Sequence, residues 1–256
     1  MSASSANNRK GELWRQGIGL LAGTLLVFAL LPWVWPSNSM FPWITDVVRA
    51  AAGDYLFDLG NAIGLSFLRF VSALLIGLVM GVLIGVCAAS FPRTRPFFAP
   101  WLTIARVTPA IVWLPVFYTV PCIASGMIPS LLGVVFCSAY VAMEVERHLT
   151  TVHEDERTYL SGQKASLQFR MRYSYLPRLV AGIGAAMRLG GSVALILVVV
   201  GEAILQTEMS LGGLLVSFIT TNALPALWAT VIAIGSLALL VFAVFSSVAQ
   251  LAGAEG

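Results

Sequence analysis

Charged residues are scarce in this 256-residue chain: they make up 11% of it, whereas hydrophobic residues make up 58%. A soluble domain of this size carries about 25% charged residues, so the composition excludes an ordinary soluble globular domain. We attribute the net charge of +3 to membrane topology and expect no nucleic-acid partner, because the basic residues collect on one side of the predicted spans.

Residues suited to catalysis or metal binding are also few. The chain lacks a Gly-x4-Gly-Lys-Ser/Thr loop, so we expect it not to hydrolyse ATP itself. No cysteine and carboxylate arrangement completes a metal site around His148 and His153. Cys87, Cys122 and Cys137 are isolated within apolar segments, which is typical of packing residues. We therefore predict no catalytic residue, no metal and no cofactor bound by this chain, and we expect it not to be an enzyme.

Long apolar runs are what the sequence has in abundance. Roughly 20 consecutive apolar residues cross a bilayer as a helix, and this pattern predicts an all-α, polytopic membrane protein with one transmembrane domain over residues 1–256. The prediction comprises a cytoplasmic tail at 1–16, a core at 59–250 and a cytoplasmic loop at 148–178. About six spans fit the sequence, at roughly 17–35, 59–90, 99–121, 127–147, 179–202 and 224–250. The segment 203–223 is expected to be a short re-entrant or interfacial piece.

The distribution of lysine and arginine sets the predicted orientation. With the N-terminus in the cytoplasm, all of the 15 Lys and Arg residues except Arg49, Arg69 and Arg188 fall at inner faces. The apolar run Gly17–Leu31 is followed by tryptophans within Pro32–Pro36 and by no small-residue cleavage site, so we expect a retained first span. The prediction is a multi-pass protein of a bacterial inner membrane with both termini in the cytoplasm.

The stretch Glu144–Arg178 is the one long, charge-dense break, with five acids, six Lys or Arg residues and both histidines. A capping box at Thr151–Glu154 predicts a first short helix, and Ser166 predicts the start of a second, which Pro177 is expected to end near Tyr175. A solvated connecting loop is one interpretation. Aromatic and aliphatic residues among charges favour the other, a docking surface.

Two spans carry patterns of their own. Gly77, Gly81 and Gly85 recur every four residues, which predicts a ridge for close helix packing. The third span contains prolines at six- to nine-residue intervals, and proline breaks or kinks a helix. Such a helix either lines a pathway or is merely a kinked packing helix. The four prolines are Pro100, Pro109, Pro115 and Pro121.

Two arginines are predicted to lie inside spans, where charges are costly. Arg188 lies about two turns into its span, from which its side chain can reach the inner face. Arg69 lies in the outer half of its span. There it either pairs with Glu202 or assists an anionic solute.

Several of these segments together resemble one family. The region Asn61–Phe117 and two later segments are similar to the permease subunits of ABC importers of the nitrate/sulfonate/taurine type. The similarity covers about 190 residues and is carried by Ser66–Arg69, Gly77–Gly85, Ser90–Arg95, Arg106–Pro109, Val112–Pro115, Val198–Glu202 and Leu211-Gly212.

The resemblance implies a permease that forms half of the path for a small anionic or polar solute. It implies a cytoplasmic ABC ATPase dimer, which uses ATP and Mg²⁺, and a second permease copy in a homodimer or heterodimer. It also implies a periplasmic or lipid-anchored solute-binding protein, with membrane lipids around the spans. From the resemblance and the residue patterns, the predicted path residues are Arg69, Thr108, Pro109, Trp113, Tyr118 and Glu202.

The segment Ala165–Pro177 matches the place where these permeases carry their EAA loop, the coupling helix that docks on the ATPase. Here Thr158-Tyr159-Leu160 replaces Glu-Ala-Ala, and Lys164 stands where a glycine is expected. These departures imply an altered ATPase groove or a diverged half of a heterodimer. The predicted coupling residues are Glu156, Thr158, Tyr159, Leu160, Gly162, Lys164, Ala165, Ser166 and Phe169.

Two alternatives stay open from the sequence. A secondary carrier or channel is one, although the spans contain few acids for proton coupling and show no inverted repeat. A non-transporting half of a heterodimeric permease is the other, and the missing loop glycine favours it.

Overall fold

A computed structural model describes residues 42–53, 55–91, 93–120, 124–151, 169 and 171–251. These residues form α-helices and two short helical turns, and no strand occurs among them, which confirms the all-α prediction. In chain order the α-helices are α1 Ile44–Ala52, α2 Leu56–Ser90, α3 Arg95–Val107, α4 Ala110–Tyr118, α5 Ile128–Thr150, α6 Leu176–Ile204, α7 Leu211–Thr220 and α8 Leu224–Leu251. A 3₁₀ turn, Ser125–Met127, precedes α5, and a π-helical turn, Met171–Tyr175, precedes α6.

Four helical segments are long and apolar enough to cross a membrane, and the bent pair α3–α4 makes a fifth if it counts as one span. The chain is therefore a multi-pass α-helical membrane protein. The predicted tail 1–16 and first span 17–35 lie outside the described residues. The four segments are Leu56–Ser90, Ser125–Thr150, Arg172–Ile204 and Leu224–Ala249.

The glycine ridge of α2 is buried against α5, as the spacing predicts. A methyl group on Gly77 would stand 2.8 Å from Cβ of Cys137, and one on Gly85 would stand 2.6 Å from the carbonyl oxygen of Ala142. In lipid, close approach of this kind is the main source of helix association, since burial of apolar side chains adds little there. Glycine at every fourth position of α2 is thus what allows the two backbones to meet.

Helix α5 lies at the centre, between α2 and α6. The residue numbers at successive contacts between α2 and α5 increase together along both helices, so these helices run parallel. Helix α6 runs antiparallel to α5, because its earlier residue Gly182 lies near Val145 and its later residue Gly201 lies near Pro129. The bundle therefore has a Met127 end, where α2 and α5 begin and α6 finishes, and a Thr150 end, where α2 and α5 finish and α6 begins.

The third predicted span is broken, as its prolines predict. Helix α3 ends at Val107, α4 begins at Ala110, and the two segments are bent by 103°. The residue before a proline is disfavoured in the α-helical region, and Thr108, which precedes Pro109, is extended with ψ 125°. Leu114 anchors α4 in an apolar cluster of α5 and α6 residues.

One prediction about the remaining helices is wrong, and one helix was not predicted. Pro177 does not end a helix near Tyr175: the π turn Met171–Tyr175 continues into α6, and Pro177 occupies the first turn of α6. Proline is tolerated there because the first amides of an α-helix lack intrahelical acceptors. Helix α1 has no counterpart among the predicted elements; it packs on α8 and buries Val47. The segment 203–223 does contain a helix too short to span, α7, as expected.

Candidate functional site

A buried cluster of polar groups lies near the Met127 end, and we call it the Glu202 cluster. It consists of the side chains of Ser66, Arg69 and Glu202 and the backbone amides of Leu211 and Gly212. Glu202 has no accessible surface, and the Arg69 side chain is 14% exposed. The cluster brings together α2, α6 and the start of α7.

The carboxylate of Glu202 has a donor at each oxygen. Arg69 Nη1 donates to Oε1 at 2.9 Å, and the Ser66 hydroxyl donates to Oε2 at 2.7 Å. The amide of Gly212 also donates to Oε2, at 3.3 Å, while the amide of Leu211 donates to the Ser66 hydroxyl at 2.9 Å. A buried carboxylate is tolerated when it is paired and hydrogen-bonded in this way.

Local geometry explains how these groups meet. Ser66 and Arg69 are three residues apart on α2, so they lie on one face of the helix. Leu211 and Gly212 are the first two residues of α7, whose amides have no acceptor within the helix. The positive end of the α7 dipole therefore faces the negative charge of Glu202, which is favourable.

The structure thus contains the Arg69–Glu202 pair, one of the two uses that the sequence predicts for Arg69. Among the six predicted path residues, the hydrogen bonds and ion pairs of the described part of the chain join only these two. Because the two charges compensate each other, the pair is suited to holding helices together. Assistance to an anionic solute stays a prediction.

The other four predicted path residues lie on the bent pair α3–α4. Thr108 and Pro109 form the break itself, half-buried and exposed respectively. Trp113 stacks on Phe117 with ring centroids 6.1 Å apart, and its indole nitrogen is buried with no hydrogen-bond partner among the described residues. Tyr118, the last residue of α4, is 69% exposed. Their role in a path stays a prediction.

At the Thr150 end, one predicted coupling residue is described. Phe169 is 41% exposed and contacts the ring of Tyr173 with centroids 4.6 Å apart, while Arg172 lies over the same ring at 5.9 Å. This aromatic pair directly precedes α6. The other eight predicted coupling residues lie outside the described residues, namely Glu156, Thr158, Tyr159, Leu160, Gly162, Lys164, Ala165 and Ser166.

Charged side chains surround the same end of the bundle. Arg95 at the start of α3 pairs with Glu146 of α5 at 2.7 Å, and Arg147 pairs with Glu144 at 2.8 Å. His148 Nδ1 donates to the carbonyl oxygen of Glu144 at 2.9 Å. Charges at a helix end rather than at its middle are typical of a membrane–water boundary. The Thr150 end therefore has the polarity expected of an interface with water.

Sequence reasoning missed part of the Glu202 cluster. Ser66 is part of the family resemblance but has no predicted role, although its three-residue spacing from Arg69 places both on one helix face. The backbone amides of Leu211 and Gly212 carry no sequence signal as donors. Their contribution follows only from the position of α7.

Among the described residues, no group of three or more His, Cys, Asp or Glu side chains could hold a metal ion. No protein-family model and no curated protein matches this chain. Membership of the importer permease family therefore stays a prediction.

Proposed function

We propose that this chain is the transmembrane permease subunit of an ATP-driven ABC importer in a bacterial inner membrane. It forms half of the path for a small anionic or polar solute, and a second permease copy forms the other half. ATP is hydrolysed in a separate cytoplasmic ATPase dimer. A periplasmic or lipid-anchored binding protein delivers the solute.

The observation that carries this proposal is the location of the charged connection between α5 and α6. Residues Thr151 and Met171, which flank it, both lie at the Thr150 end of the bundle, because α5 and α6 are antiparallel. The exposed Phe169–Tyr173 pair stands beside charged residues at that end. Interface cores are enriched in aromatic residues and arginine, so this surface suits docking of a soluble partner.

The bent pair α3–α4 gives further support. Irregular backbone at membrane depth occurs where it is buried in protein or lines a cavity. Thr108, Trp113 and Tyr118 add polar groups along this pair, which also exposes several large apolar side chains. The bent pair is therefore the part of this chain that we assign to the solute path.

Co-purification tests the coupling part of the proposal. The tagged full chain is isolated in mild detergent from its native host, and bound proteins are tested for ATPase activity. Wild-type protein is expected to retain an ATPase. The double variant Phe169→Asp/Tyr173→Asp is expected to lose it, because it introduces charge into the aromatic part of the surface.

Phe57→Asp is the matched control, since Phe57 is also an exposed aromatic residue but lies near the start of α2. This variant is expected to retain the ATPase. Recovery of wild-type protein as an ATPase-free, monodisperse carrier, with uptake driven by a proton gradient, would favour a secondary carrier and contradict the proposal.

The departures at Thr158–Leu160 and Lys164 favour a second candidate, a diverged half that does not couple by itself. The variants Tyr159→Asp and Leu160→Asp distinguish the two. Loss of solute uptake in intact cells supports coupling through this chain. Unchanged uptake, together with a more typical permease in the same complex, supports the diverged half.

A further inference from the structure

The Glu202 cluster connects helices that are far apart in the sequence. The acceptor is the carboxylate of Glu202 on α6. Its donors are Ser66 and Arg69 of α2 and the amide of Gly212 of α7. In the sequence, Ser66 and Arg69 are separated from Glu202 by 136 and 133 positions respectively.

Helix α7 lies along the first turns of α2. Its first residue, Leu211, donates to Ser66, and Phe218 near its other end meets Tyr55 edge-to-face, with ring centroids 5.1 Å apart. Leu211 and Phe218 are both buried. Helix α7 therefore runs antiparallel to the start of α2.

Backbone contacts restrict the same helix. A methyl group on Gly212 would collide with the backbone of Val199 and Ala203 in α6, and one on Gly213 would collide with the carbonyl oxygen of Thr207. In the connection from α6 to α7, Gln206 and Met209 adopt positive φ of 48° and 52°. Non-glycine residues keep this conformation only when the surrounding structure holds it.

We propose that Ser66, Arg69 and Glu202 are positioning residues that hold α7 to α2 and α6. Helix α7 is then a fixed part of the Met127 end and does not open as a hinged, re-entrant gate. The inference concerns the mechanics of the fold and goes beyond the proposed transport function, on which it does not rest.

Physical chemistry favours this role over solute binding. Both charges are compensated, and Glu202 has no accessible surface. A buried pair of this kind contributes little when intact, but removing one partner leaves an uncompensated charge and is strongly unfavourable. The effect of such a change is concentrated where the donors lie, which includes the first amides of α7.

Hydrogen exchange of the purified full chain in lipid nanodiscs tests the proposal, with α7 compared against the central helix α5. In Glu202→Gln, Arg69 is left without its counter-charge. Relative to wild type, exchange in Leu211–Thr220 is expected to accelerate at least about tenfold more than exchange in Ile128–Thr150.

The double variant Arg69→Met/Glu202→Gln separates a positioning role from a general loss of packing. It removes both charges, while the amide oxygen of the glutamine still accepts from Ser66 and Gly212. Exchange in α7 is expected to be slower than in Glu202→Gln alone, because the buried unpaired charge is gone. If α7 exchanges as fast in the double variant as in Glu202→Gln, the proposed role of the ion pair is overturned.

Ser66→Ala provides a milder test if the charge variants do not fold. It leaves the ion pair intact and removes the hydroxyl between Leu211 and Glu202, so a rise of about threefold in α7 exchange is expected. Ser138→Ala is the matched control, since the buried Ser138 hydroxyl bonds only within its own helix, to Val135. Unchanged α7 exchange in Ser66→Ala, or an equal rise in α5 and α7 in any variant, overturns the proposal.

Discussion

Gly81 of α2 lies where a methyl group would stand 2.6 Å from Cβ of Val141 and 2.7 Å from the carbonyl oxygen of Ser138. Neither neighbour can move without shifting α5, which is packed on both sides. Gly64, on the same helix, has no atom within 4 Å of an added methyl group. Gly81 therefore lies in a tight helix contact, whereas Gly64 faces open space, and substitution by alanine is expected to affect stability differently at the two positions.

Gly81→Ala is expected to destabilise the protein by about 1–3 kcal/mol, because an added methyl group overpacks the contact between α2 and α5. Gly64→Ala is expected to be neutral or to stabilise by up to about 1 kcal/mol, because alanine favours helix. Thermal unfolding in detergent measures both. Equal midpoints for the two variants would show that the ridge is not a packing surface.

Burial also separates the two ion pairs that join different helices in the described part of the chain. Both partners of the Arg69–Glu202 pair are largely buried, whereas in the Arg95–Glu146 pair Glu146 is 12% exposed and Arg95 is 62% exposed. Solvent screens an exposed pair, and such pairs contribute little to stability. Breaking a buried pair is costly because one charge remains without a partner.

Glu202→Gln is therefore expected to destabilise the protein by about 3–5 kcal/mol, and Arg95→Gln by less than about 1 kcal/mol. Chemical unfolding in detergent at low and high salt tests this order. Only the small Arg95→Gln effect is expected to shrink further at high salt, because screening acts on exposed charges. A larger loss in Arg95→Gln than in Glu202→Gln contradicts the assignment.

At the scale of elements, the prolines of the third span predict that it is broken, but they predict neither the position nor the angle of the break. Pro100 and Pro115 lie inside α3 and α4, and the break falls at Pro109. Pro109 excludes a continuous helix through Thr108. The bend of 103° depends on where α4 packs, and Leu114 is its buried anchor against Ile128 and Leu197. Contacts between distant residues therefore set the geometry of this element.

Leu114→Ala is expected to destabilise the protein by about 2–5 kcal/mol through the cavity that it leaves. Ile111→Ala is the control, because Ile111 lies on α4 and is 58% exposed, so its removal leaves no cavity. It is expected to change stability by about 0.5 kcal/mol or less. Thermal unfolding provides the comparison, and a loss in Ile111→Ala that matches Leu114→Ala would place the anchor elsewhere.

The boundaries of helices could be predicted where the ends of a long apolar run set them. The spans predicted at 59–90, 127–147 and 224–250 correspond closely to α2, α5 and α8. Helix α1 was missed because a nine-residue helix is marginal alone and depends on packing, in this case on α8. The end predicted at Pro177 was wrong because a proline at a helix start and one after a helix end look alike in sequence.

At the scale of the whole molecule, the helix order places the two ends of α5 on opposite sides of the bundle. Ser125 lies at the Met127 end and Thr151 at the Thr150 end, and both are exposed. The Lys and Arg distribution predicts that the Thr150 end faces the cytoplasm. Labelling of the two ends from one side of the membrane tests this orientation.

Ser125→Cys and Thr151→Cys, each in a chain with Cys87, Cys122 and Cys137 replaced by alanine, test this orientation. A membrane-impermeant maleimide is expected to label Ser125→Cys in cells with an intact inner membrane. It is expected to label Thr151→Cys only after that membrane is permeabilised. The reverse pattern would contradict the predicted topology.

The sequence by itself determined that the chain is an all-α membrane protein, which helix face carries the glycine ridge and that the third span is broken. These properties follow from local composition and spacing, because apolar length, small residues and proline act within a few turns of one helix. Only the tertiary structure decided that Ser66 joins Arg69 and Glu202 and that the amides of α7 complete the cluster. Such contacts cross more than a hundred residues, and they depend on which helix faces meet, a property that no local pattern specifies.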